Sequence, residues 1–92
     1  MNADEMFEEL GYNKSYDDNY IVFSKKLFND EVKTIVFNLN KNLIDIRTDD
    51  IFNLQVITTV LNMKELQAIN EKVKELRLGK QLNKEIKSIK EK

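Results

Sequence analysis

The spacing of apolar residues changes twice along this chain. Between residues 2 and 10 it is helical, with Met6, Phe7 and Leu10 on one side. Asn2 and Glu5 form an N-x-x-E capping box at the start. Gly11 suits the left-handed position that ends a helix. So short a helix is marginal alone and must dock on something. Residues 12–19 are polar, and Asp17-Asp18-Asn19 reads as a turn.

From Tyr20 the spacing becomes two. Tyr20-Ile-Val-Phe23 opens a strand, and Asn29-Asp30 closes it with a turn. In Val32–Leu39, Ile35, Phe37 and Leu39 alternate with Thr34, Val36 and Asn38. Asn40-Lys41-Asn42 is a hairpin connection, because Asn tolerates positive φ. Leu43–Thr48 places Ile44 and Ile46 on one face and Asp45 and Arg47 on the other. Asp49-Asp50 reads as a break, and Ile51–Ile57 as a fourth strand carrying Phe52, Leu54 and Val56.

Helical spacing returns at Asn62, where Asn62-Met-Lys-Glu65 is a second capping box. Leu66, Ile69, Val73 and Leu76 make the stripe of a helix laid on a sheet, with Lys64, Glu71, Lys74 and Glu75 on the solvated side. Gly79 either ends this helix or is run through at a cost of about 1 kcal/mol against alanine. Beyond it Leu78, Leu82, Ile86 and Ile89 set a new stripe among lysines.

The elements together predict an α+β fold: a short N-terminal helix, a three- or four-stranded antiparallel β-meander and a long C-terminal helix packed on one face. Residues 1–79 form the domain, and 80–92 a basic extension, helical or frayed. Tyr20, Phe23, Ile35, Phe37, Ile44, Ile46, Phe52, Leu54 and Val56 are the expected sheet core, covered by Leu66, Ile69, Val73 and Leu76. With 92 residues the chain suffices for one domain.

Composition narrows the chemistry. Cysteine and histidine are both absent from the sequence. Disulfides, thiolate metal sites and the commonest general base are thereby removed, and a reducing cytoplasm is the natural setting. Ser15, Ser24 and Ser88 sit in no nucleophile motif. Gly11 and Gly79 are too far apart to build a phosphate loop. A binding protein is expected, without catalytic residues, cofactor or metal. No stretch approaches the roughly 20 apolar residues of a membrane span. The acidic N-terminus does not read as a signal peptide. The expected location is the cytoplasm of a bacterial host cell.

Charge is uneven. Residues 1–31 carry eight acids and three lysines, and residues 80–92 five lysines and two glutamates. Asp17, Asp18, Asp49 and Asp50 are either solvated turn acids or a partner surface that imitates a nucleic-acid backbone. Lys84 and Lys87 are available to phosphates, but aromatics in the strands and two arginines make nucleic-acid binding the weaker reading. Leu82, Ile86 and Ile89 suit packing on their own domain, a homo-oligomer, a partner groove or a membrane surface.

Three segments carry a resemblance: Met6-Phe-Glu-Glu-Leu-Gly-Tyr12, Ile35-Val-Phe-Asn-Leu39, and Ile57-Thr to Met63-Lys-Glu-Leu-Gln-Ala-Ile-Asn70. Over residues 5–77 the chain resembles small uncharacterised accessory proteins of phages and prophages of Gram-positive bacteria. Leu76-Arg-Leu-Gly79 and the basic tail replace the family's usual Leu-Gly-Trp ending. The resemblance implies a protein that acts on host machinery by surface complementarity. An inhibitor of a bacterial defence nuclease, such as an anti-CRISPR protein on a CRISPR effector, is the leading expectation. A regulatory nucleic-acid binder and a structural homo-oligomer are the alternatives.

Overall fold

Asn2 begins the first helix, α1 (Ala3–Glu9): its Oδ1 accepts from the Glu5 N–H at 2.9 Å. Gly11 ends it at φ 91°, where the Gly11 and Tyr12 N–H groups donate to Glu8 and Phe7 carbonyls at 3.0 Å each. This Schellman pattern turns the chain directly into the sheet. The structure is a computed structural model. It describes residues 1–50, 56–57 and 59–90, with side chains left out at 29, 56, 57 and 78–90.

Among the described residues five strands follow in sequence order, all antiparallel. They are β1 (Asn13–Asp17), β2 (Tyr20–Lys26), β3 (Glu31–Asn38), β4 (Leu43–Asp50) and the two-residue β5 (Val56–Ile57). A single 3-10 turn, Phe28–Asp30, joins β2 to β3, with Asp30 at φ 61°. Asn42, at φ 55°, closes the β3–β4 hairpin where positive φ is needed. The second helix, α2, runs from Met63 to Lys90 and passes through Gly79 without a break.

Both helices lie on one side of the sheet. Register fixes which residues meet them: Phe23 opposite Ile35, Ile35 opposite Ile46, Phe37 opposite Ile44. Phe7 of α1 stacks on Phe23 with ring centroids 3.9 Å apart, and Phe37 meets both edge-on. Ile21, Ala68 and Ile69 complete the buried cluster with Tyr12. Burial of one such aromatic contributes about 1.5–3 kcal/mol.

The α+β class and element order are as the residue pattern predicts. Four local expectations differ. The polar stretch after Gly11 is strand β1, held by pairing with β2 rather than by alternation. Asp49 and Asp50 continue β4, because Val32 and Glu31 on β3 supply partners across the ladder. Tyr20, Ile44 and Leu66, expected in the core, are 40%, 42% and 40% exposed. Glu75, expected to be solvated, is half-buried and accepts from the Ala3 N–H at 2.9 Å. Phe52 and Leu54 fall outside the described residues, as does the side chain of Val56.

Candidate functional site

The helix α2 meets the sheet through positions 65, 68, 69, 72, 73 and 76, a continuous stripe at helical spacing. Two of those positions are charged. Lys33 Nζ from β3 lies 2.8 Å from Glu65 Oε1, both side chains buried, and also donates to the Val60 carbonyl. The Tyr12 hydroxyl donates to Glu65 Oε2. Glu65 also completes the capping box: its Oε1 accepts from Asn62 N–H at 3.0 Å while Asn62 Oδ1 accepts from Glu65 N–H at 2.8 Å. Burial pushes the Glu65 carboxyl up, but the Asn62, Lys33 and Tyr12 donors outweigh it and hold it below the usual carboxylate range. Burial and the adjacent carboxylate push the Tyr12 phenol above its ordinary value.

Asp4 of α1 bridges Lys14 of β1 at 2.6 Å and Lys72 of α2 at 3.1 Å. Burial raises its carboxyl, and the two lysines more than reverse that. Each cluster pairs groups from separate elements. They set the rotation of α2 and explain why Leu66 is displaced outward. Their role is architectural, since each polar atom is engaged with its neighbours.

The opposite face of the sheet is covered by neither helix. Pairing places Ser15, Val22, Val36 and Asp45 in one cross-strand row and Asn13, Ser24, Thr34 and Arg47 in the next. Asp17, Tyr20, Asn38 and Leu43 close the hairpin end. Lys26, Val32 and Asp49 close the other. The middle is valine and hydroxyl, half-buried; the rim is charged. Tyr20 and Leu43, 40% and 58% exposed, stand at one corner. Arg47 grips Asp49 with two hydrogen bonds, at 3.0 and 3.2 Å.

A concavity lies on the helix side. A groove of about 460 Å³ opens between the β3–β4 hairpin and α2, lined by Phe37, Leu39, Ile44, Val73, Leu76 and Arg77 among others. It sits where α2 leaves the sheet.

The acids proposed from sequence do not form one patch. Asp17 and Asp18 lie at the β1–β2 turn, beside the β3–β4 hairpin. Asp49 and Asp50 are at the far end of β4, six or more residues away along the strand, about 20 Å. Asp17 and Asp49 share the uncovered face, whereas Asp50 alternates to the helix side. Leu82, Lys84, Ile86, Lys87 and Ile89 fall on the helical backbone of α2, and their side chains lie outside the described residues.

The uncovered face was not singled out in sequence, although the alternation of Thr34, Val36 and Asn38 against Ile35 and Phe37 carries its signal. Among the described residues no cluster of acidic side chains could hold a metal ion, and no helix is long and apolar enough to cross a membrane. No family profile, curated protein or solved structure matches the chain.

Proposed function

We propose that this chain is a non-catalytic binding protein that docks a partner protein on the uncovered face of its sheet. One observation carries the reading: a half-buried strip of Val22, Thr34 and Val36 ringed by Asp17, Lys26, Asp45 and Arg47. An apolar centre with a charged rim is the anatomy of a protein interface. A solvent face needs no such valines, and an antiparallel sheet with one wet face ordinarily alternates to polar residues there.

The resemblance to phage accessory proteins extends this reading to a host target. A bacterial defence nuclease such as a CRISPR effector is the leading candidate, with Asp17, Asp18, Asp45 and Asp49 meeting its basic surface. The test is affinity capture from nuclease-treated bacterial lysate with the wild type and with Val22→Lys/Val36→Lys. The wild type should retain a stoichiometric protein that the folded double variant loses. Equal capture by both would exclude the face. Recovery of nucleic acid alone, before nuclease treatment, would favour the basic tail and a regulatory role instead.

A further inference from the structure

Strand β1 lies at the outside of the sheet, and among the described residues no strand pairs with its free side. We infer that this edge pairs with the β1 edge of a second copy, antiparallel, about a two-fold axis at Ser15. The contact runs along the strand edge and stands whether or not the uncovered face binds a partner.

Backbone geometry makes the edge a template. The turn at Asp18 and Asn19 closes on Asp17 opposite Tyr20, which a two-residue hairpin makes a hydrogen-bonded pair. Alternation along an antiparallel ladder extends this to Ser15 with Val22 and Asn13 with Ser24. The N–H and C=O groups of Lys14 and Tyr16 therefore point away from β2. Proteins block such an edge with proline, a bulge or an uncompensated charge. This chain has no proline, and β1 pairs with β2 at five consecutive positions without a bulge. Lys14, the one basic residue of β1, has its charge met by Asp4 at 2.6 Å. The free side of β1 is thus open to another strand.

The sequence Asn13-Lys-Ser-Tyr-Asp17 complements itself in one register. A two-fold axis normal to the sheet keeps the helix sides of both copies together, so only residues on the same face can stand opposite each other. With Ser15 on the axis, Lys14 of each copy faces Tyr16 of the other, and Asn13 faces Asp17. Lys14 Nζ already lies 4.5 Å from the centroid of its own Tyr16 ring, and that ring is 74% exposed. The second copy's ring offers the lysine another aromatic face. The Asn13 amide donates to the Asp17 carboxylate. Both Lys14–Tyr16 pairs are hydrogen-bonded pairs, so all the outward backbone groups of the two residues find partners. An axis at Lys14 would set two lysines against each other, which is destabilising. An axis at Tyr16 would leave the outward groups of Lys14 beyond the end of the partner strand.

Light scattering on the full chain across a wide concentration range tests the dimer, whose expected mass is twice the 10.9 kDa of the monomer. Tyr16→Pro removes an outward N–H without touching the β1–β2 ladder, a place where an edge strand tolerates proline. It should give a monomer with unchanged far-UV circular dichroism. The register is tested by cross-linking, because the chain has no cysteine of its own. Ser15 and its copy form a non-hydrogen-bonded pair with Cα atoms about 4.5 Å apart, within the roughly 4.4–6.8 Å that a disulfide spans. Ser15→Cys should therefore give a covalent dimer under mild oxidation, whereas Asn13→Cys and Asp17→Cys should not. This series decides the question even where the proline variant fails to fold. A wild-type monomer at every concentration would overturn the inference. So would a dimer that survives Tyr16→Pro, or equal cross-linking at positions 13, 15 and 17.

Discussion

Lys33 on β3 and Glu65 on α2 form a buried ion pair, 2.8 Å between Nζ and Oε1, across the helix–sheet interface. The pair is completed by the Tyr12 hydroxyl, the Val60 carbonyl and the Asn62 N–H. Removal of one member strands a buried charge. Glu65→Leu should therefore cost about 3–5 kcal/mol. In a domain of this size that is a large share of the total stability. Lys33→Met should cost a comparable amount. The double substitution should recover much of the loss, because no charge is then left unpaired. Urea titration of the four proteins measures the coupling. Additive losses would show that the two side chains act independently.

Acid sensitivity follows from the same chemistry. Asp4 and Glu65 both have carboxyls held below their ordinary values in the folded state. Protons therefore bind the unfolded chain first as pH falls. The stabilisation is complete above the unfolded carboxylate range of about 4, and it drains away as pH passes down through that range and the lower folded values. The urea midpoint should be flat from neutrality to about pH 5 and drop below it. Asp4→Asn should be less stable than wild type at neutral pH, with the two curves converging in acid. Parallel curves would rule out a contribution from Asp4.

Much of the fold was legible because its signals are local. Asn2, Gly11 and the Asn62–Glu65 box act on backbone groups within a few residues, so sequence spacing reveals them. The alternation in β3 likewise marks Ile35 and Phe37. Signals that depend on distant partners were hidden. Strand β1 has a polar sequence, exposed at four of five positions, and becomes a strand only through β2. Helical spacing picks Leu66 as a core residue, but its charged neighbour Glu65 takes the buried position because Lys33 waits for it 32 residues away. The candidate binding face was half legible. Alternation defines it, yet its coverage is decided by which side both helices choose.

Gly11 occupies φ 91°, where a side chain is strained whatever the space around it. A Cβ there would meet only the flexible Lys25 side chain, at 3.6 Å. The cost of Gly11→Ala is thus conformational, about 1 kcal/mol, with little steric addition. Thermal unfolding should show a fall in Tm of roughly 4–8 °C for a domain of this size. An unchanged Tm would mean that the turn relaxes without penalty.

Gly79 distinguishes a continuous α2 from a helix that stops at a glycine cap. Within a continuous helix, Gly79→Ala removes the backbone freedom of glycine in the unfolded chain and should strengthen the helix by about 1 kcal/mol. At a cap, alanine would instead be forced into left-handed backbone and would destabilise by a similar amount. The described backbone is helical on both sides of this residue. Far-UV circular dichroism of Gly79→Ala should therefore show equal or greater helicity, and its unfolding midpoint should not fall. Lower helicity together with a lower midpoint would place the end of α2 at Gly79.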